Sequence, residues 1–177
     1  ISVTASGQNN SWNHWATYHY TVDLASPGES IQSCVNNGSG YSSWNGTSMA
    51  SPVAASVAGL MKSLNPSWTV EQISTMIKAT ADPIIYELNT EEYIQGKLGT
   101  GRVDALKAVT TSLFPKITLE GSDIITNNTN NEIYAGDIIE LIAIFSNHPN
   151  WGTAINPEIN LNCYAENISI IGRKIEK

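Results

Sequence analysis

Residues 45–60 read NGTSMASPVAASVAGL, a short polar start followed by a run of small and apolar residues. This composition predicts a buried helix from Ser48 to Leu64 that packs tightly on every side, with Gly59 facing a neighbouring element. Ser48 would then lie at the helix N-terminus, where unpaired backbone N–H groups and the positive end of the helix dipole favour developing negative charge. Because a serine that attacks a carbonyl group creates an oxyanion, this position suits a nucleophile.

Ser48 also has an ordinary interpretation as an N-cap residue, because serine is preferred at helix starts. Two more stretches help to decide whether Ser48 is a nucleophile or an N-cap residue. They are VDLASPG at 22–28 and GTGRVDA at 99–105. Together with GTSMASP at 46–52, they resemble three motifs of the subtilisin-like serine peptidases (subtilases). These are the strand and turn before the nucleophile, the nucleophile motif itself and the start of the last helix. The motifs occur in the family's order, and the resemblance covers roughly residues 1–113.

The resemblance implies an α/β fold in which residues 1–114 form the C-terminal portion of a subtilisin-like parallel-sheet domain. It implies a serine endopeptidase that hydrolyses a protein or peptide substrate through an acyl-enzyme on Ser48. The backbone N–H of Ser48 would donate to the oxyanion, and Thr47 would line the same pocket. Asn45 would lie near the substrate strand, and Trp15 would border the leaving-group side of the cleft. For Trp15 and its aromatic neighbours, simple coverage of the sheet edge is the alternative.

The other catalytic groups are expected upstream of this chain. A serine hydroxyl needs a neighbouring base, and that base needs an orienting carboxylate. In subtilases the order is Asp, His, oxyanion-hole Asn and then Ser, so the first three would precede Ile1. The chain opens without an initiator methionine, which predicts an excerpt of a longer protein that is inactive by itself. None of His14, His19 and His148 is predicted to replace the missing base.

Two other functions compete with this interpretation. The first is a non-catalytic, peptidase-like protein of the cell surface that serves binding or adhesion. The second is an α/β-hydrolase esterase, because GTSMA differs by one residue from G-x-S-x-G, and Asp104 and His148 follow in the order of that fold. The esterase motif needs an apolar strand directly before it, whereas residues 38–44 form a polar stretch rich in glycine and serine.

The remaining elements are predicted from local patterns. A second helix begins at Thr69, where Gln72 three residues later completes a capping box, and it ends at Asp82-Pro83. Its buried face is predicted to contain Val70, Ile73, Met76 and Ile77. A third helix is predicted over Val103–Leu113 with Val103, Leu106 and Val109 on one side, and residues 84–98 are predicted as loop with one helical turn. The predicted strands are Ile1–Ala5, Thr21–Ala25 and Ser30–Val35, with a loop over Asn36–Trp44.

Beyond Pro115 the pattern changes from helices to strands. Three strands are predicted over Lys116–Glu120, Asp137–Ser146 and Glu158–Asn167, the last of which alternates cleanly between apolar and polar residues. We interpret residues 115–177 as a partial β-sandwich of the immunoglobulin-like sort, truncated at Lys177 before two sheets can close. The Asn-rich stretch Ser122–Asn131 is predicted to be a plain turn and no calcium loop.

Composition limits the partners. The net charge of −7 argues against nucleic acid and anionic membranes, which both require a basic patch. No apolar run has the length of a membrane span, and a surface rich in Asn, Ser and Thr suits a secreted or cell-surface protein. No cofactor is predicted with certainty, and structural calcium in the parent protein stays open. Asp23 is predicted to be a hydrogen-bonded structural carboxylate, and no disulfide is expected between Cys34 and Cys163.

Overall fold

The computed structural model describes residues 1–36, 38, 40–126 and 132–155. The chain divides into two units, Ile1–Phe114 and Pro115–Lys177. At the centre of the first unit are two parallel strands, β1 (Val3–Ser6) and β2 (Leu24–Pro27), paired from Val3 opposite Leu24 to Ser6 opposite Pro27. Both strands are almost completely buried, as parallel strands covered on two faces should be. They begin two or three residues later than the sequence predicts.

The sheet continues beyond β2 through isolated backbone pairings. Arg102 pairs in parallel with Ala25, and Asp82 pairs with Arg102 in the antiparallel sense. Two glycines permit this close packing. A Cβ atom on Gly99, whose φ is +80°, would lie 2.3 Å from the carbonyl carbon of Asp23, and one on Gly101 would lie 2.4 Å from the Asp82 carbonyl oxygen. Within the GTGRVDA stretch, the residues around Arg102 are extended and join the sheet, and the helix begins only at Ala105.

Strands β3 (Ile31–Cys34) and β4 (Tyr41–Trp44) form an antiparallel pair, with Ile31 opposite Trp44. The sequence predicts β3 correctly, but the prediction of a loop over Asn36–Trp44 is wrong for its last four residues. The sequence of β4, YSSW, shows no clear alternation of apolar and polar residues, so its strand conformation comes from hydrogen bonding to β3. Cys34, at the end of β3, is an exposed free cysteine.

Helix α1 (Thr47–Leu64) packs on β1 and β2 through one face only. That face contains Ala50, Ala54, Val57 and Met61, which recur at helical spacing. The prediction that the helix packs on every side is wrong, since Leu60 is 54% exposed and a Cβ atom on Gly59 would meet no atom within 4 Å. The physical reason is that the described residues place neighbours on one side of the helix alone. An overpacking cost at Gly59 is therefore not expected here.

Helix α2 (Val70–Ala79) confirms the predicted capping box. The Thr69 hydroxyl accepts a hydrogen bond from the Gln72 backbone N–H at 3.2 Å, and the Gln72 side chain accepts one from the Thr69 N–H at 2.7 Å. Met76 and Ile77 are buried as predicted, but Val70 is 86% exposed. Val70 is the first helical residue, and no described element covers it.

A 3₁₀ turn (Gln8–Asn10) follows β1, and three more short helical segments lie after α2. Helix α3 (Ile84–Leu88) and a 3₁₀ turn (Glu92–Ile94) fill the region that was predicted as loop with one helical turn. Helix α4 (Ala105–Thr110) is shorter than the predicted Val103–Leu113, because Val103 still belongs to the extended segment beside β2. Leu106 is 73% exposed whereas Val103 is buried, so the two do not share one side as predicted, and Ala108 is the buried residue of α4. None of the helices that the structure describes is long and apolar enough to cross a membrane.

In the second unit, the described residues form an antiparallel pair of strands, β5 (Ile117–Thr126) and β6 (Ile139–Asn147), with a register shift between Leu119 and Gly121. Both strands begin within two residues of the predicted positions. Strand β5 runs six residues beyond Glu120, so the predicted turn over Ser122–Asn131 is wrong for residues 122–126. Residues 127–131 of the predicted turn and the predicted strand Glu158–Asn167 lie outside the described residues.

The Asp23 carboxylate ties the start of the chain to α2. It accepts a hydrogen bond from the Ser2 backbone N–H at 2.7 Å and lies 3.3 Å from the Lys78 ammonium group. The hydrogen bond from Ser2 is the largest cause of a lowered Asp23 pKa. Lys78 lowers this pKa further, and partial burial opposes both effects. Asp23 is thus a hydrogen-bonded structural residue, as predicted.

The capping box gives a first testable prediction. Replacing Thr69 with Ala leaves the Gln72 N–H at the start of α2 without its acceptor, which should lower the free energy of unfolding by about 1 kcal/mol. The measurement is the urea midpoint of the full-length protein. Thr75→Ala is the matched control, because Thr75 is exposed inside the same helix, where alanine is the better helix former. Equal midpoints for the two variants would contradict the prediction.

A second prediction concerns pH. Because the pKa of Asp23 is lower in the folded state, its stabilising effect is complete above the unfolded pKa and is lost as the pH falls through the folded pKa, below about pH 4. Asp23→Asn should therefore be less stable than the wild type at about pH 7, and the difference should shrink toward about pH 3. Urea unfolding at several pH values measures this difference. A difference that stays constant with pH would show that the Asp23 charge contributes nothing.

Candidate active site around Ser48

The first turn of α1 presents backbone N–H groups at Ser48. Gly46 is the N-cap residue, and its carbonyl oxygen accepts from the N–H groups of Met49 and Ala50 at 3.0 and 3.1 Å. Among the described residues, the N–H groups of Thr47 and Ser48 have no acceptor. They are the unpaired donors expected at a helix start, and they lie at the positive end of an 18-residue helix. This turn can therefore donate hydrogen bonds to an anion.

Ser48 itself is exposed, and its hydroxyl has no hydrogen-bond partner within the part of the chain that the structure describes. The interpretation of Ser48 as an N-cap serine is wrong, because Gly46 occupies the cap and no side chain caps this helix. Thr47, half-buried beside it, uses its carbonyl oxygen to accept from the Ser51 hydroxyl at 3.0 Å. An exposed serine hydroxyl next to free N–H donors supplies one part of a nucleophile's site, the donors that can stabilise an oxyanion.

The position of this turn is set by Gly28, which follows β2. A Cβ atom on Gly28 would lie 2.6 Å from the Ala5 Cβ, 2.7 Å from the Gly46 carbonyl oxygen and 3.0 Å from the Ala50 Cβ. In addition, the Gly46 N–H donates to the Gly28 carbonyl oxygen at 2.8 Å, and the Gly28 N–H donates to Ser6 at 2.9 Å. Any side chain at Gly28 would push the start of α1 away from the sheet.

A second contact fixes the residue before this turn. The Asn45 side-chain oxygen accepts from the Ser30 backbone N–H at 2.7 Å. Ser30 has a positive φ of 55°, which is uncommon for a residue other than glycine and turns its N–H toward Asn45. The exposed Asn45 thus connects the Ser48 turn to the loop after β2. Sequence reasoning missed Ser30, because a serine in a polar loop carries no signal of this conformation.

The structure does not bring Trp15 into any described contact with Ser48. Trp15 is 49% exposed, whereas its neighbour Trp12 is buried. The Trp12 backbone N–H donates to the Asn89 side chain at 2.7 Å, and the Trp12 ring meets His14, Tyr18 and Tyr93 edge-on. Trp12 therefore holds the loop to the 84–98 region, and Trp15 keeps a free ring face within the described contacts.

His14 and His19 have local partners and do not reach Ser48 within the described hydrogen bonds. His14 Nδ1 lies 3.3 Å from the Tyr93 hydroxyl, and His19 Nδ1 accepts from the Thr21 N–H at 3.2 Å. His148, in the second unit, lies 3.0 Å from the Pro149 carbonyl oxygen. The carboxylate of Asp104 caps α4 by accepting from the Lys107 N–H at 2.9 Å. No group of three or more potential metal ligands occurs in the described ranges.

The sequence of this chain is similar to those of known peptidases over the region that contains Ser48. Residues 1–109 match the model of the subtilase family. The chain is 46% identical over 81 residues to alkaline elastase YaB of Bacillus sp. (strain YaB), covering 46% of this chain and 21% of the elastase. It is 37% identical over 87 residues to a cell wall-associated protease of Bacillus subtilis (strain 168), covering 49% of this chain and 10% of the relative.

The fold comparison agrees with the sequence comparison. A solved protease structure from Pseudoalteromonas arctica PAMC 21717 superposes with a TM-score of 0.54 at 30% identity, over 62% of this chain and 34% of that one. The aligned stretch therefore spans about a third or less of the length of each of these three relatives. The family match takes in more than half of the 177 residues, and it includes the Ser48 turn, the β2 strand and the extended segment at Arg102. This chain belongs to the subtilase family.

Proposed function

We propose that the protein containing this chain is a serine endopeptidase in which Ser48 is the nucleophile. The observation that carries the proposal is the exposed hydroxyl of Ser48 beside unpaired backbone N–H groups at the start of α1. Family membership supports it, and the names of the relatives include an elastase and a protease. We further propose that the substrates are proteins or peptides.

The reaction uses the Ser48 turn in two ways. A general base takes the Ser48 hydroxyl proton as the Ser48 oxygen attacks the carbonyl carbon of the peptide bond, and this base later gives the proton to the leaving amine. The developing oxyanion accepts a hydrogen bond from the Ser48 backbone N–H. The C–N bond then breaks, the amine leaves with a proton, and water hydrolyses the acyl-enzyme. We propose that Thr47 lines the oxyanion pocket, that Asn45 lies along the substrate strand and that the exposed ring of Trp15 contacts the leaving-group side.

The general base, its carboxylate and a second oxyanion donor are proposed to come from residues outside this chain. Within the described part of the first unit, neither His14 nor His19 is hydrogen-bonded to Ser48, which supports a base supplied from elsewhere. We propose that the 177 residues alone do not hydrolyse peptides. The proposal for the whole protein includes a secreted or cell-surface location, in line with a relative named as a cell wall-associated protease. Structural calcium in the whole protein also stays a proposal.

For residues 115–177 we propose the beginning of an immunoglobulin-like β-sandwich. The support is the antiparallel pair β5 and β6, whose long strands carry many exposed apolar side chains. These include Leu119, Ile124, Ile142 and Ile144. An isolated two-stranded sheet is marginally stable in water, so such faces favour further strands. The predicted strand Glu158–Asn167 would be the next one.

The nucleophile is tested by substitution in the full-length protein. Ser48→Ala should abolish both peptide hydrolysis and labelling by a fluorophosphonate, because it removes the oxygen on which the proposed acyl-enzyme forms. Ser56→Ala is the matched control, since Ser56 is an exposed serine of the same helix whose hydroxyl bonds to the Pro52 carbonyl oxygen at 2.8 Å. Undiminished labelling of the Ser48→Ala protein would overturn the proposal, and absence of labelling in both the wild type and the control would favour the non-catalytic binding protein.

The contact between Asn45 and Ser30 gives a further prediction. Asn45→Ala removes the acceptor of the Ser30 N–H and should lower kcat/KM by about threefold to tenfold, the equivalent of one neutral hydrogen bond. Asn45→Asp keeps an acceptor oxygen at the same position and should retain more activity than Asn45→Ala. Steady-state kinetics on one peptide substrate compares the two variants. Equal losses in both would show that this hydrogen bond does not position the Ser48 turn.

A further inference from the structure

A cavity of about 330 Å³ lies at the carboxyl end of β2, apart from the Ser48 hydroxyl. Its apolar wall includes Pro27, the last residue of β2, together with Val53 and Val57 of α1. Three charged residues also line it, namely Asp82, Arg102 and Asp104. In α/β folds, ligands bind in the crevice outside the carboxyl ends of the strands, and this volume falls in the range of small-molecule sites.

Arg102 is held in place without using its full donor capacity. Its backbone N–H and C=O both bond to Asp82, at 2.8 and 2.7 Å. Its side-chain Nε donates to the Ser6 hydroxyl at 3.1 Å, and Ser6 is completely buried. Within the described residues, the guanidinium group has no other hydrogen bond and no ion pair. A guanidinium anchored through Nε still offers its terminal nitrogens to a carboxylate.

The two carboxylates of the cavity also keep free acceptor capacity. The Oδ1 atom of Asp82 accepts from the Ile84 N–H at 3.0 Å, and the Oδ1 atom of Asp104 accepts from the Lys107 N–H at 2.9 Å. Neither carboxylate forms an ion pair with Arg102 or with another cation among the described residues. The cavity therefore presents unpaired charges of both signs beside an apolar wall, and a ligand with an anionic group, a cationic group and an apolar part would complement it.

We propose that this cavity binds a zwitterionic α-amino acid with an apolar side chain. The ligand carboxylate pairs with the free nitrogens of Arg102, and the ligand ammonium group lies against the free oxygens of Asp82 and Asp104. The side chain packs on Val53 and Val57 of α1. This binding involves no covalent step and does not depend on the proposed chemistry of Ser48.

The test is isothermal titration of the full-length protein with L-leucine. N-acetyl-leucine lacks the ammonium charge and leucine amide lacks the carboxylate, so each should bind at least about tenfold more weakly. Arg102→Met should weaken leucine binding by about tenfold to a hundredfold, the equivalent of a lost hydrogen-bonded charge pair. Lys107→Met is the matched control, because Lys107 is an exposed cation of α4 that does not line the cavity. The Lys107→Met protein should bind leucine with the same affinity as the wild type.

A second variant separates loss of binding from loss of folding. Val53→Phe places a larger side chain in the cavity and leaves Arg102 in place, so it should also abolish leucine binding while the protein keeps a cooperative thermal transition. In the wild type, the Nε–H resonance of Arg102 should shift on addition of leucine. Absence of saturable leucine binding, equal binding of N-acetyl-leucine, or unchanged affinity in a folded Arg102→Met protein would each overturn the proposal.

Discussion

The packing of the α1 N-terminus against Gly28 is the contact on which the candidate site depends. Three heavy atoms from β1, the Ser48 turn and α1 lie within 3.0 Å of the place where a Cβ atom would be. Such contacts leave room for hydrogen alone, so the helix start is fixed on the carboxyl ends of the two parallel strands. Because the Gly46 N–H is satisfied by Gly28, the N–H groups of Thr47 and Ser48 are the ones that remain for a ligand.

The region around β2 also positions the extended segment at Arg102. The extended segment at Arg102 requires Gly99 because it lies close to the start of β2, and it requires Gly101 because it lies close to Asp82. It also carries the Arg102 side chain to the buried hydroxyl of Ser6. The Ser48 turn and the proposed amino-acid cavity therefore both lie at the carboxyl end of β2. In the Ser48 turn and in the cavity, backbone contacts position polar groups that keep unused hydrogen-bonding capacity among the described residues.

The sequence predicts secondary structure correctly where the conformation depends on residues that are close together in the chain. The capping box of Thr69 and Gln72 is a contact between residues three apart, and the structure contains both of its hydrogen bonds. Helix α1 begins within one residue of its predicted start, and Pro52 lies near enough to that start for the helix to continue through it. Predictions of burial were less accurate. The composition of α1 shows which residues can pack closely, but it does not show how many faces have a neighbour, as Gly59 and Leu60 demonstrate.

The sequence by itself determined the subtilase family, the position of the candidate nucleophile and most of the helices and strands of the first unit, because these depend on motifs and short-range periodicity. Only the tertiary structure decided the conformation of β4, the hydrogen bond between Asn45 and Ser30 and the placement of Arg102 against Ser6. The last two contacts join residues that are 15 and 96 positions apart. No local pattern encodes such pairs, since their formation depends on strand pairing and close packing that bring distant backbone segments together.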